Sequence, residues 1–168
     1  MLKKYYSSCR LVAMLLLGAT LSTSLTACGE QEKAPEPTLY ERMGKVDGIS
    51  KLVDNFMANV VAECASPNSV LLRSHTAFLA DVSAGNDARR LAFRNNLIDQ
   101  LGQISGGPLV YRGKNMVAAH IGMKITNAEF DAVAAELTKA MNTQQIKPAD
   151  QEQLLGLLGA MRGDVVGK

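Results

Sequence analysis

The feature that most constrains the fold of this chain is the spacing of its apolar residues, which recur three and four positions apart and nowhere alternate convincingly with polar residues. Such spacing gathers side chains on one face of a helix, whereas a half-buried strand requires alternation. The clearest stretch lies between positions 49 and 61, where the apolar face comprises Ile49, Leu52, Val53, Phe56, Val60 and Val61. We therefore predict an all-α fold with no sheet.

Capping residues indicate where several helices begin. Thr38 and Glu41 have the spacing of a capping box, in which each side chain accepts a hydrogen bond from the backbone N–H of the other, and Thr126 and Glu129 repeat this spacing. Asp47 is the predicted cap of the second helix. Near the carboxyl end of the chain, Pro148 permits the start of a final helix, whose predicted apolar face is Leu154, Leu155, Leu158, Met161 and Val165.

The start of the chain has the layout of a secretory leader. A basic beginning is followed by an apolar run over 11–21 and then by small residues. The ending Leu25-Thr26-Ala27-Cys28 resembles the bacterial lipobox, whose cysteine is lipidated. The resemblance implies a signal peptide over 1–27 and a lipid on Cys28 that anchors a soluble domain to a membrane. A transmembrane anchor is the alternative, but Thr and Ser residues over 20–24 interrupt the apolar run.

The segment after the leader is charged, contains proline and has no large apolar side chain, so we interpret 28–37 as a flexible linker and 38–168 as the domain. Without the leader's three basic residues, the basic count falls from 18 to 15, against 16 acidic residues. A nearly neutral domain gives no basic field for nucleic acid. Gly29 after the lipidated cysteine, in place of aspartate, resembles bacterial sorting patterns that imply anchoring in the outer membrane of the bacterial envelope, facing the periplasm.

Several kinds of site are excluded by what the chain lacks. Cys64 is the only thiol outside the leader and the lipidation site, so neither an intrachain disulfide nor a cysteine zinc site is predicted. We interpret Cys64 as a structural residue at a helix end. Glu129, Asp131 and Glu136 are interpreted as a solvated helix face and not as a catalytic carboxylate pair.

The stretch from Gly106 to Thr126 is the strongest candidate for ligand chemistry. Gly106-Gly107-Pro108 ends a long helix that begins at Asp87, and Tyr111 follows in a loop. His120, one of two histidines in the chain, lies four residues after Met116 and therefore on the same side of a short predicted helix. A neutral imidazole among apolar neighbours is a candidate iron ligand.

These residues resemble a known family. The opening Thr38-Leu39-Tyr40-Glu41-Arg42-x-Gly44 and the stretch Gly106-Gly107-Pro108-x-x-Tyr111-x-Gly113-x-x-Met116-x-x-x-His120-x-x-Met123-x-Ile125-Thr126-x-x-x-Phe130 are similar to the truncated haemoglobins of group I. The resemblance implies a two-over-two helical sandwich around haem b, with His120 as the proximal iron ligand. It places Met116, Tyr111, Ile125 and Phe130 on the proximal side and Phe56, Met57, Phe93 and Leu97 on the distal side, with Phe78 at the haem edge.

The distal side departs from the family pattern. The family commonly has a tyrosine after the phenylalanine of the second helix, where its hydroxyl steadies bound oxygen, but here the pair is Phe56-Met57. A thioether donates no hydrogen bond, and Phe93 and Leu97 are apolar as well. We therefore expect weakly held oxygen, or a preference for carbon monoxide and nitric oxide.

A second histidine leaves open whether the haem iron has five or six ligands. His75 lies in the segment from Val70 to Asp81, which we interpret as a helical turn or short helix. Its ordinary interpretation is an exposed loop histidine beside Arg73 and Ser74; the alternative is a sixth iron ligand.

Three functions follow from the sequence. The first is a lipid-anchored globin that binds a diatomic gas (oxygen, nitric oxide or carbon monoxide). Oxidation of nitric oxide to nitrate is a further enzymatic role to consider, and a reductase is a candidate partner. The second is an envelope haem protein for electron transfer or peroxidase-like chemistry, favoured if His75 binds iron. The third is a helical interaction lipoprotein with no cofactor. Fold analogy alone does not choose among them.

Overall fold

The computed structural model describes residues 35–168, and the regular structure within that range is helical. The predicted leader, Cys28 and most of the predicted linker lie outside the described residues. No helix within that range is both long enough and apolar enough to cross a membrane. The helices are α1 (Leu39–Arg42), α2 (Lys45–Cys64), α3 (Leu72–Ser83), α4 (Asp87–Ile104), α5 (Met116–His120), α6 (Asn127–Thr143), α7 (Pro148–Gly159) and α8 (Arg162–Val165).

Both predicted capping boxes are confirmed. Thr38 caps α1 and Thr126 caps α6, and in each case the glutamate three residues later bonds the backbone N–H of the threonine. The cap predicted at Asp47 is wrong, because α2 begins at Lys45 and Asp47 lies in its first turn. Gly44 starts that helix instead: its φ of +89° is a left-handed conformation that glycine adopts without strain, and it turns the chain from α1 into α2.

Helix α2 is the central element of the domain. It packs against α6 and α4, while α6 also contacts α7, so that the helices form the two layers expected for an all-α sandwich. The predicted apolar face of α2 is confirmed with one exception, because Val61 is 52% exposed. Cys64 is buried at the end of this helix, as predicted. The main buried side chains between the layers are Ile49, Leu52, Val53, Phe56, Ile98, Leu101, Leu137, Met141 and Leu154.

The carboxyl end differs from the single final helix that was predicted. Helix α7 ends at Gly159, and a separate short helix, α8, carries Val165. The chain beyond α8 then forms an isolated bridge between Val166 and Ile125, and the N–H of Gly167 donates to the Ile125 carbonyl at 2.8 Å. The end of the described chain therefore packs beside the segment that joins α5 to α6.

Candidate functional site

His120 is the last residue of α5, a short helix whose start is fixed by a capping side chain. The side chain of Asn115 accepts a hydrogen bond from the N–H of Ala118 at 2.8 Å and so starts the helix. Four residues before His120, the carbonyl of Met116 lies 2.7 Å from Nδ1 of the imidazole. Because a carbonyl only accepts, Nδ1 carries the proton. Deprotonation of the ring therefore leaves the free lone pair on Nε2, the nitrogen available to a metal.

Helix α5 is held by α4 and α8. The amide nitrogen of Gln100 lies 3.2 Å from the sulfur of Met116 and 3.5 Å from that of Met161, so one side chain of α4 contacts both α5 and the residue that precedes α8. Helices α5 and α8 are also in contact. The short helix predicted to carry Met116 and His120 four residues apart is confirmed as α5.

Tyr111 makes hydrogen bonds both within its own loop and to the end of α4. Its N–H donates to the side-chain oxygen of Gln103 at 2.7 Å, and its hydroxyl donates to the carbonyl of Lys114 at 2.7 Å. Burial raises the pKa of its phenol. A Cβ at Gly113 would lie 2.3 Å from the Tyr111 hydroxyl oxygen, which explains why the motif has glycine there. The tyrosine thereby fixes the loop that leads into α5.

The other two residues predicted for the His120 side lie beyond α5. Ile125 is buried and pairs with Val166. Phe130 is half-buried on α6, and the guanidinium of Arg162 lies 4.2 Å from the centroid of its ring, a cation–π contact. Both residues therefore brace the segment that follows His120.

A separate apolar cavity brings together most of the residues predicted for the opposite side. Its volume is about 30 Å³. Phe56 and Met57 from α2, Phe78 from α3 and Phe93 from α4 meet there, and the rings of Phe78 and Phe93 lie 4.8 Å apart. Leu97 packs against the core and is not in the cavity wall. The remaining wall residues are Val60, Val61, His75 and Leu79.

His75 belongs to this cavity, so its interpretation as an exposed loop histidine is wrong. It lies on α3, is half-buried and is the only polar residue of the cavity wall. Its Nδ1 lies 3.0 Å from the carbonyl of Leu71, four residues earlier, and 3.1 Å from the hydroxyl of Ser74. As in His120, the carbonyl requires the proton on Nδ1 and leaves the lone pair of the neutral ring on Nε2.

The two histidines lie in different surroundings within the described chain. The cavity that His75 lines does not include His120. A wider groove of about 460 Å³ lies elsewhere, between α1, α2, the connection from α6 to α7 and the start of α7, and contains none of the predicted site residues. No group of three or more His, Cys, Asp or Glu over residues 35–168 is arranged to hold a metal ion directly.

The acidic residues of α6 do not form the predicted solvated face. Asp131 is exposed, but Glu129 and Glu136 are each only 4% exposed. Burial opposes ionisation of Glu129, yet hydrogen bonds from Arg73 and Thr126 outweigh it and lower the pKa of its carboxyl to about 2. Sequence reasoning missed Arg73, and no local signal marks it, because the partners that define its role are about fifty residues away.

Comparison with known proteins identifies related sequences over the same region. A family model described as bacterial-like globin matches residues 38–166. A group 1 truncated hemoglobin, GlbN, from Nostoc sp. (strain MUN 8820) is 29% identical over 131 residues, which cover 78% of this chain and 98% of that protein. A group 1 truncated hemoglobin from Tetrahymena pyriformis is 25% identical over 131 residues, covering 78% of this chain and 96% of that one.

Solved structures extend the likeness to the fold. The truncated hemoglobin from Tetrahymena pyriformis in its Fe(III) form superposes with a TM-score of 0.63 at 25% identity, covering 79% of this chain and 100% of that one. The 2/2 hemoglobin from Synechococcus sp. PCC 7002, in the cyanomet state and with covalently attached heme, gives a TM-score of 0.60 at 20% identity, covering 77% and 98%. The two-over-two arrangement predicted from the sequence is thereby confirmed as a fold.

Proposed function

The chain belongs to the bacterial-like globin family as a group 1 truncated haemoglobin, and from that premise we propose that it binds haem b through His120 and takes up a diatomic gas. Family membership implies haem-based gas binding. The role of His120 and the identity of the gas are our proposal. The observation that carries it is the hydrogen bond from Nδ1 of His120 to the Met116 carbonyl at 2.7 Å, which leaves Nε2 free for iron.

The residues present suit a porphyrin. Met57, Phe78 and Phe93 supply apolar and aromatic surface, and Phe93 remains 39% exposed although it is aromatic. Apolar surface left open in this way is what a flat apolar ring would cover. The sequence contains no Cys-x-x-Cys-His for covalent attachment, which favours haem b.

The cavity suits the gas and not the porphyrin itself. A space of about 30 Å³ accommodates one or two small molecules, since a water needs roughly 10–15 Å³ by this measure. A porphyrin is larger than this space, so the proposed haem would lie outside it. His120 would hold the haem, which when bound would supply the iron that takes up the gas, and the residues of the cavity would supply an apolar chamber. With Met57 in the wall, the chamber offers no hydroxyl donor, which favours carbon monoxide, nitric oxide or weakly held oxygen.

The test is haem uptake by a protein comprising residues 35–168, with the two histidines as matched variants. We expect the wild type to bind one haem and to show a Soret band. His120→Ala should lose the axial imidazole and bind haem weakly, whereas His75→Ala should still bind it. A wild type that takes up no haem would contradict the proposal and favour the interaction lipoprotein without a cofactor.

A second candidate function is electron transfer or peroxidase-like chemistry through a haem held by both histidines. The observation that favours it is the half-buried His75 in the cavity wall, with Nε2 free of the hydrogen bond that Nδ1 makes. The ferrous spectrum distinguishes the candidates. A six-coordinate spectrum that becomes five-coordinate in His75→Ala supports electron transfer, and a five-coordinate wild type supports gas binding.

We further propose that the domain is tethered to the bacterial envelope through a lipid on Cys28, in the outer membrane and facing the periplasm, and that a reductase returns its iron to the ferrous state. Expression of the full chain tests the anchor. We expect the wild type in the membrane fraction and Cys28→Ser in the soluble fraction. A Cys28→Ser protein that stayed with the membranes would contradict lipid anchoring.

A further inference from the structure

Arg73 joins two parts of the molecule that carry the two histidines. From α3, two residues before His75, its Nη1 donates to the carbonyl of Met123 at 3.0 Å and its Nη2 donates to the carbonyl of Lys124 at 3.1 Å. The same Nη2 also pairs with the carboxylate of Glu129. One guanidinium therefore ties α3 to both the α5–α6 connection and the start of α6.

The connection that Arg73 holds is conformationally unusual. Between His120 and α6, Gly122 has a φ of +83° and Lys124 a φ of +50°. A left-handed conformation is unfavourable for a long side chain and persists only where the surroundings impose it. At Lys124 the surroundings are Arg73, which holds its carbonyl, and the carbonyl of Lys168, which accepts its N–H at 2.5 Å.

The acidic partner of Arg73 is built into the fold. The Glu129 side chain is 5% exposed, whereas that of Arg73 is 55% exposed. One carboxylate oxygen of Glu129, Oε2, takes the contacts with Arg73 and Thr126, while the other, Oε1, is buried without a partner. The low pKa of this carboxyl keeps it charged at neutral pH. Arg73 is therefore the charged partner that compensates a buried carboxylate.

We propose that Arg73 is a positioning residue, which fixes the separation between the cavity wall on α3 and the segment that follows His120. His75 and Phe78 follow Arg73 by two and five residues on the same helix, so a displacement of α3 at Arg73 would reach both within two turns. No residue of α3 is fully buried, so this helix depends on its ties to neighbouring segments. The part of this proposal that concerns haem rests on the proposed function; the part that concerns the tie does not.

The test distinguishes two effects of Arg73: its link between α3 and the segment after His120, and its neutralisation of the buried Glu129 carboxylate. Arg73→Ala alone would leave the buried Glu129 carboxylate without its charged partner. We therefore combine it with Glu129→Gln, whose amide can still complete the capping box. Glu129→Gln alone is the reference, because the two proteins then differ only at Arg73. Arg90→Ala is the matched control: Arg90 is a half-buried arginine whose ion-pair partner, Asp87, lies on its own helix.

The first readout is hydrogen exchange of residues 35–168 without haem. Relative to Glu129→Gln, the double variant should exchange roughly tenfold faster in the amides of 121–126 and 72–78, with the α2 core unchanged, because local opening has its own free energy. Arg90→Ala should exchange like the wild type. Equal exchange in the double variant and its reference, or faster exchange throughout the domain, would overturn the positioning role.

The second readout is spectroscopic. With haem bound, we expect the iron–histidine stretching band of the double variant to shift relative to that of its reference. The double variant should also lose haem to an acceptor globin roughly tenfold faster, the size of effect expected when a charged hydrogen bond of moderate strength is lost. An unchanged band and rate would overturn the link to His120. If the wild type takes up no haem, the proposed function fails, and the link between Arg73 and haem binding at His120 is refuted with it. The hydrogen-exchange data still decide whether Arg73 holds α3 to the segment after His120.

Discussion

The two histidines of this protein share one local geometry and differ in everything around it. Each directs Nδ1 to the carbonyl four residues earlier, Met116 for His120 and Leu71 for His75. The segment around His120 is fixed by polar side chains, among them Gln100, Gln103 and Asn115. The cavity beside His75 is apolar apart from that histidine and retains exposed aromatic surface. Helix geometry thus orients each imidazole, while the side chains packed around it decide whether it is suited to bind a metal or to line an apolar cavity.

Replacing His120 by glycine gives the largest expected effect. If the ordered His120 segment is the iron site, His120→Gly should lose axial coordination, and free imidazole should restore the spectrum because it fits the vacated space. The measurement is a titration with imidazole followed in the Soret region. The same titration on His75→Gly is the control. Rescue of His75→Gly, with no effect in His120→Gly, would reverse the assignment of the two histidines.

The second expected effect concerns Glu129, the buried carboxylate that pairs with Arg73, and it depends on pH. The folded-state pKa of Glu129 is about 2, below its ordinary 4.5, so its carboxylate stabilises the fold above pH 4.5 and this contribution is lost as pH falls towards 2. Linkage limits the contribution to about 3 kcal/mol for the shift from 4.5 to about 2. Glu129→Gln should therefore be less stable than the wild type at neutral pH, and the difference should shrink in acid.

Urea unfolding of residues 35–168 between pH 2 and pH 7 measures this difference. Asp131→Asn is the control, because Asp131 is an exposed carboxylate on the same helix. A wild-type advantage that stayed constant across this pH range would contradict the assignment to Glu129 ionisation.

The third prediction concerns the loop before α5. Gly113→Ala brings a Cβ within 2.3 Å of the Tyr111 hydroxyl oxygen, and overpacking of this kind costs about 1–3 kcal/mol. The free energy of unfolding should fall accordingly. Against Tyr111→Leu alone, adding Gly113→Ala should cost much less, since the clashing ring and hydroxyl are gone and both proteins lack the Tyr111–Lys114 hydrogen bond. An equal loss of stability in both backgrounds would show that Tyr111 is not the source of the clash.

The smallest expected effect is on the cavity side. Met57→Tyr introduces a hydroxyl donor into the wall, and a hydrogen bond to the gas of about 1.4 kcal/mol corresponds to roughly tenfold slower oxygen release. Carbon monoxide release should change much less, because that gas depends less on a donor. Stopped-flow release rates of both gases measure the effect, with Met57→Phe as the control for size. Equal slowing of both gases would indicate a steric effect and not a hydrogen bond.

The sequence by itself determined the elements whose signals are local. The helical spacing of α2, the capping boxes at Thr38 and Thr126 and the short helix that carries Met116 and His120 follow from neighbouring residues, and the structure confirms them. Only the tertiary structure decided the rest. Gly44 and not Asp47 begins α2, because the turn from α1 requires a left-handed residue.

The same limit applies to the candidate site. His75 enters the cavity because α3 packs against α2 and α4, and Glu129 is buried and charged because Arg73 reaches it from a distant helix. Periodicity and capping act within a few residues, so a sequence records them directly. Burial and charge pairing join residues far apart in the chain, and they exist only once the helices have packed.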